Sequence, residues 1–233
     1  MKDRYGKNRP LVPALTEVKG LESGPSMAAD SRMTRLSAHP QRNSVRLQLR
    51  QNQSLAGMSA AQWGELEPLL AIADYRKGDA LVRQGDEEME QFFILEGMVK
   101  RVVSNPHGRE MILRFAAETE MDTSYAAWRL RTPLPYSIVA VTKVRTAEMP
   151  LAVWGQFLER HPERKARFEY EDMRLMADVM AHTITLHLLD ASGRMARFQR
   201  KHPELAARIP KKELAAYLNL TPETLSRLRQ KLG

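Results

Sequence analysis

The sequence predicts an α+β fold: a small antiparallel β body, then one long helix, then an all-α helix-turn-helix at the C-terminus. Three observations carry this. Gly78, Gly85, Gly97 and Gly108 fall 7, 12 and 11 residues apart, with short β-prone runs between them, the pattern of strands joined at regular turns. Residues 163–190 run for 28 positions without Pro or Gly and keep a heptad-like apolar seam. The last 23 residues, KKELAAYLNLTPETLSRLRQKLG, read as helix, three-residue turn, helix.

Composition narrows the function classes. A chain of 233 residues builds two modest domains or one large one. The absence of cysteine excludes disulfides, thiolate zinc sites, cysteine-ligated clusters and cysteine nucleophiles. It also fits a reducing compartment, so a cytoplasmic protein is expected. No run approaches the length of apolar sequence that spans a bilayer, and no signal-peptide core opens the chain, so no membrane partner is expected. The net charge of +8 is unevenly spread: +6 in residues 1–50, −5 in 51–193 and +7 in 194–233. Positive ends, one of them the helix-turn-helix, match the electrostatic footprint of a DNA reader.

Taken in order, residues 1–50 are a basic leader rich in Pro, Ser, Gly, Asn and Arg, expected to be disordered; a basic arm touching DNA phosphates is the functional alternative. Met27 and Met33 are further candidate starts. Residues 55–73 read as one or two short helices, capped at Ser59 and burying Trp63, Leu66, Leu69 and Leu70. Strands are expected at 80–83, 92–95, 98–103, 111–115, 137–141 and 144–148, with a turn at 105–108. A short helix spans 150–162. In the long helix, Phe168, Leu175, Val179, His182, Leu186 and Leu189 are spaced 7, 4, 3, 4 and 3, and Met173, Met176, Met180 and Ile184 form a second stripe. One stripe is expected to face the β body and the other a second copy of the chain; the first is taken as the dimer seam. A core helix packed on both faces within one chain is the alternative. His182 and His187 read as interface histidines rather than metal ligands. Ser192-Gly193 ends the helix as a hinge. The boundaries expected are thus a leader at 1–50, a β domain with flanking helices at 51–162, a dimerisation helix at 163–192 and a DNA-binding domain at 193–233.

The tail is the most specific stretch. Leu214 and Leu218 share one face of its first helix, and Leu225 and Leu228 one face of its second. Ala215 permits close helix crossing, and Asn219 tolerates the left-handed backbone a sharp reversal needs. Thr221 is a good N-cap and Pro222 a good first helical residue. The face left outward carries Glu223, Thr224 and Arg227, in the first turns, where a recognition helix meets bases. Glu accepts from cytosine N4, and Arg pairs with guanine O6 and N7. Arg208, Lys211, Lys212, Thr221, Ser226, Arg229 and Lys231 are the candidate phosphate contacts. A small helical hairpin with a solvated charged face is the competing reading.

These parts, in this order, resemble the Crp/Fnr family of bacterial transcription regulators, the relatives of the cyclic-AMP receptor protein. YRKGDALVRQGD at 75–86, FFILEGMVK at 92–100, GREMILRF at 108–115 and YSIVAV at 136–141 are similar to the family's β-roll strands, and residues 209–228 to its helix-turn-helix. The resemblance covers residues 55–233. It implies an antiparallel double-stranded jelly roll of the cyclic-nucleotide-binding type (a β-roll), and a homodimer that binds a pseudo-palindromic operator in double-stranded DNA and addresses RNA polymerase. Glu223 and Arg227 match two base-reading positions of the family; Pro222 stands where a further Arg is common.

The same resemblance implies a phosphate-binding cassette, in which a Gly-Glu pair and an Arg-Ser pair hold a cyclic nucleotide. Residues 116–137, AAETEMDTSYAAWRLRTPLPYS, contain no glycine. The Gly-Glu pair falls at Thr123-Ser124 and the Arg-Ser pair at Leu134-Pro135. Glu118, Glu120 and Asp122 add negative charge; Arg129 and Arg131 are the cations a shifted loop would offer. Control by cyclic AMP or cyclic GMP is therefore not expected, and no cofactor or metal is assigned. The effector is left open: another anion, an apolar ligand, or none. A ligand-sensor module with a vestigial tail is the second function class. An enzyme is not expected, because no glycine-rich phosphate loop, serine elbow or HExxH motif occurs.

Overall fold

The computed structural model describes residues 33–232. Two antiparallel sheets form the roll. The first has the order β1 (Met33–Arg35), β2 (Ala71–Tyr75), β9 (Val144–Pro150), β4 (Glu90–Glu96), β7 (Met121–Thr123); the second has the order β3 (Ala80–Val82), β8 (Ser137–Ala140), β5 (Met98–Ser104), β6 (Glu110–Ala117). All six strand segments read from the sequence are present. The three extra strands, β1, β2 and β7, have 3, 5 and 3 residues; β1 and β7 lack the flanking turn glycines that mark the strands at 80–83, 92–95 and 98–103, and β2 overlaps the segment read as helix. Gly97 forms the tight turn between β4 and β5 at φ +86, where a Cβ would collide with the Lys143 carbonyl and the Thr142 hydroxyl.

Two expectations for the N-terminal part are corrected. Residues 33–50 are not a disordered leader. Besides β1 they form a 3₁₀ turn at Leu36–Ala38 and helix α1 (Arg42–Leu49), and Leu36, Val45 and Leu49 are buried in the roll's core. Arg42 and Arg46 meet the buried Glu67 carboxylate. Three anchors among many polar residues gave no readable pattern. Residues 1–32 lie outside the described residues. Helix α2 (Ala60–Leu66) starts at Ser59 as expected, with a reciprocal capping box to Gln62. The helical reading of 55–73 runs too far, however, because a 3₁₀ turn at Glu67–Leu69 hands over to β2. Helix α3 (Tyr125–Leu130) lies in the cassette segment.

Helix α4 (Leu151–Arg160) leads into the long helix α5 (Pro162–Leu188). The start of α5 docks on the roll: Phe168 is fully buried, edge-on to Trp154 at 5.4 Å and to Tyr125 at 5.0 Å. The hinge lies earlier than expected. Leu189 is extended and Asp190 caps helix α6 (Ala191–Lys201), accepting from the Gly193 N–H at 2.7 Å. Ser192-Gly193 is thus the first turn of a new helix, because an aspartate cap outcompetes a glycine stop.

The dimer seam is also corrected at its buried members. Phe168, Leu175 and His182 are buried in the chain's own packing, Val179 and Leu186 are half-buried, and Leu189 is exposed. A side chain already covered by its own roll or tail cannot also form an outward seam. The stripe left outward is Tyr170, Met173, Ala177, Met180, Ile184 and Leu188, all exposed. Helices α7 (Pro203–Arg208), α8 (Lys211–Tyr217) and α9 (Pro222–Leu232) complete the chain.

Candidate nucleic-acid interface and the interior of the roll

Helices α8 and α9 are the two arms of the expected helix-turn-helix. Leu214 and Leu225 are fully buried between them, Ala215 is buried at the crossing, and Asn219 adopts φ +52 in the turn. Thr221 caps α9, its hydroxyl accepting from the Thr224 N–H at 3.2 Å, and Pro222 is the first helical residue. Glu223 and Arg227 are exposed and Thr224 is half-exposed. Glu223 is held below the usual carboxylate range by its own backbone N–H, then by the Thr221 hydroxyl and the charge of Arg227. It is therefore an acceptor at neutral pH.

The candidate phosphate contacts divide. Lys211, Lys212 and Thr221 are exposed and Ser226 is half-exposed. Arg208 is bound to Glu118 at 2.7 Å, and Arg229 donates to the Ala206 carbonyl at 3.0 Å. Lys231 lies outside the residues whose side chains are described.

The helix-turn-helix does not hang free. A second core joins it to the outer face of the roll: Met98, Val102, Ile112, Phe115 and Val141 from the roll meet Met195, Phe198, Ile209, Leu214, Tyr217 and Leu218 from the tail. Tyr217 is its centre, stacked on His182 of α5 at 3.7 Å with the rings 2° from parallel, and 5.2 Å from Phe115. Lys100 and Glu213 pair across the same junction at 2.8 Å.

Inside the roll, the positions aligned with the cassette are filled by the chain itself. Thr123 and Ser124 are buried, as are Leu134 and Tyr136. The Thr123 carbonyl accepts from the Arg101 guanidinium at 2.8 Å and from the Tyr136 hydroxyl at 2.7 Å. Arg101 is almost fully buried and pairs with the fully buried Asp122 at 2.7 Å; its guanidinium also lies over the Tyr136 ring at 4.6 Å. Burial works against the Arg101 charge, and Asp122 overrides it, leaving the guanidinium pKa raised. Arg129 and Arg131 do not enter this interior. They line an open surface cleft of about 780 Å³ with Trp128 and Met89.

The interior cluster escaped the sequence reading. Its signal is the alternation Val99, Arg101, Val103 in one strand, which places an arginine among residues of the inward face.

Asp172 of α5 faces the same cluster. Burial pushes its carboxyl up to about 6 from 3.8, Arg101 pulls it down, and Asp122 pushes it further up. A folded-state pKa raised above the unfolded value favours the protonated form. Its stabilising contribution is complete below 3.8 and is lost as pH rises through about 6. His182 runs the other way: burial lowers it to about 4 from 6.5, so its contribution is complete above 6.5 and lost as pH falls through about 4. Asp172→Asn, which cannot ionise, is expected to melt above the wild type at neutral pH and to converge with it at acidic pH. A melting difference that does not change with pH contradicts this.

The comparisons with known proteins agree with this geometry. Residues 72–161 match the cyclic nucleotide-binding domain. The nitrogen fixation regulation protein FixK of Bradyrhizobium diazoefficiens is 24% identical over 188 residues, covering 76% of this chain and 78% of FixK. The cAMP-activated global transcriptional regulator CRP of Salmonella typhimurium is 20% identical over 171 residues, covering 69% of this chain and 81% of CRP. The chain thus matches a cyclic nucleotide-binding domain and is similar over most of its length to the regulators FixK and CRP. Among solved structures, FixK2 from Bradyrhizobium japonicum superposes with a TM-score of 0.63 at 16% identity, covering 70% of this chain and 84% of FixK2. The c-di-GMP responsive global regulator CLP of Xanthomonas campestris superposes at 0.62, also at 16% identity, covering 75% of this chain and 91% of CLP. These likenesses place the β-roll followed by C-terminal helices in the fold of Crp/Fnr regulators. The relatives are regulators of transcription and not enzymes. No helix among the described residues is long and apolar enough to cross a membrane.

Proposed function

We propose that the protein is a homodimeric, sequence-specific DNA-binding regulator of transcription that does not answer to cyclic AMP or cyclic GMP. The observation that carries this is the capped helix α9, which turns Glu223, Thr224 and Arg227 outward while α8 anchors it to the roll. Such a helix fits the major groove, and a two-fold pair of them reads half-sites about 34–36 Å apart. The operator is then a pseudo-palindrome. Lys211, Lys212, Thr221, Ser226 and Lys231 hold phosphates; Arg208 and Arg229 join them once they turn from Glu118 and Ala206. The second copy docks on the outward stripe of α5, Tyr170 to Leu188, whose spacing is that of a paired helix. The regulator acts in the cytoplasm, with RNA polymerase as its further partner.

Independence from cyclic nucleotides is supported by the interior of the roll. Arg101, Asp122, Thr123 and Tyr136 satisfy one another where the cassette aligns, and no glycine there frees backbone N–H groups for a phosphate. Isothermal titration of the purified protein with cyclic AMP and cyclic GMP tests this. No micromolar binding is expected; micromolar binding of either nucleotide overturns it.

A further inference from the structure

Arg101 on β5 and Arg114 on β6 are directly opposed partners in the second sheet. Two like charges so placed repel. Between them lies the Asp122 carboxylate of β7, from the first sheet, at 2.7 Å from Arg101 and 3.8 Å from Arg114. All three residues are buried. The ion triad therefore bridges the two sheets through the interior.

Such a triad is an expensive way to hold two sheets together, because apolar residues of similar volume do so as well or better. It is also incompletely satisfied. Arg101 Nη1, Arg114 Nη1, Asp122 Oδ2, Thr123 Oγ1 and Asp172 Oδ1 are buried and make no hydrogen bond to another protein group. Asp172 is the contribution of the long helix. Arg114 reaches the other way, into a crevice that it shares with Asp178 of α5 and Tyr217 of α8. The cluster thus touches the roll, the long helix and the base of the helix-turn-helix.

We propose that Asp122 is a built-in anion: its carboxylate neutralises Arg101 and Arg114 permanently, and so holds the roll, the long helix and the DNA reader in register without a dissociable ligand. This rests on the reading that the roll works without a cyclic nucleotide. Its consequence is specific. Deleting the carboxylate makes the protein depend on an added small anion, because both arginines remain, Arg101 loses its paired carboxylate, and Arg114 keeps only the more exposed Glu120 at 3.3 Å.

The test is chemical rescue. Asp122→Ala leaves a space that formate fills, since a methyl group and a formate ion approximate the lost side chain. Melting temperature and affinity for a selected operator are measured in sodium formate and in sodium chloride of equal ionic strength. In chloride the variant is expected to melt about 10 °C below the wild type and to bind DNA at least about tenfold more weakly. Formate is expected to restore more than half of both losses. The wild type and the triple variant Arg101→Met/Arg114→Met/Asp122→Leu, which lacks the whole triad, should not respond to formate.

A folded Asp122→Ala protein indifferent to formate overturns the proposal, as does a formate effect common to all three proteins. Rescue of melting with DNA affinity unmoved makes the triad a clamp of the fold alone and also overturns it. If Asp122→Ala does not fold in either salt, the isosteric Asp122→Asn decides: weakened DNA binding supports the proposal, and wild-type affinity sinks it. Cyclic nucleotide binding by the wild type would defeat the effector-free reading and leave the formate response intact, so the two fail separately.

Discussion

Replacing Arg227 by alanine is expected to abolish preference for one base pair in each half-site of the operator. Arg227 is exposed on the outward face of α9, and a bidentate arginine–guanine pair discriminates by about 1–3 kcal/mol, roughly ten- to a hundred-fold at that position. The fold should not suffer, because Arg227 lies on the solvent side of α9, opposite the Leu225 that packs into the tail. Thermal melting should therefore match the wild type while a binding-selection profile becomes flat at one position per half-site. An unchanged profile removes Arg227 from the recognition set.

Met180→Glu is expected to produce a monomer that scarcely binds the operator. Met180 is 64% exposed in the single chain, so a charge there costs the isolated fold little. At a two-fold helix pair it would place two carboxylates in an apolar seam, where burial of a charge without a partner is strongly unfavourable. Losing the dimer removes the avidity of two linked half-sites, about a hundredfold or more. Sedimentation reads the mass and melting checks the fold. The contrast is Phe168, which is wholly buried; truncating it should destabilise the chain itself, as loss of a core aromatic does. A Met180→Glu protein that stays dimeric with full affinity would move the interface elsewhere.

Which seam of α5 faces outward was not legible in the sequence, and the reason is physical. Both stripes have helical spacing, and a period says that a face is buried without saying against what. His182 shows the difficulty. Its spacing fits a dimer seam, yet it stacks on Tyr217, a residue 35 positions away that only the folded tail brings to it. The helix-turn-helix was legible because its signals are local: a left-handed Asn219, a Thr221 cap, a Pro222 start. The strands between spaced glycines were legible for the same reason. The short pieces β1 and β7 and helix α1 were not, since their stability comes from the core they complete. The Arg101–Asp122 pair joins residues 21 apart on different sheets, and no spacing rule encodes that meeting. In the sequence Asp122 reads only as negative charge unsuited to a bound phosphate, and nothing there marks Arg101 as its partner.

The central claim is that the outward face of α9, doubled by a second copy of the chain, reads DNA sequence. Selection of bound duplexes from a random pool by the purified protein, with no nucleotide added, tests it most directly. The account predicts enrichment of a pseudo-palindrome whose half-sites lie one helical turn apart or a multiple of it. A pool that stays random, or a single unpaired site bound by a monomer, would contradict it.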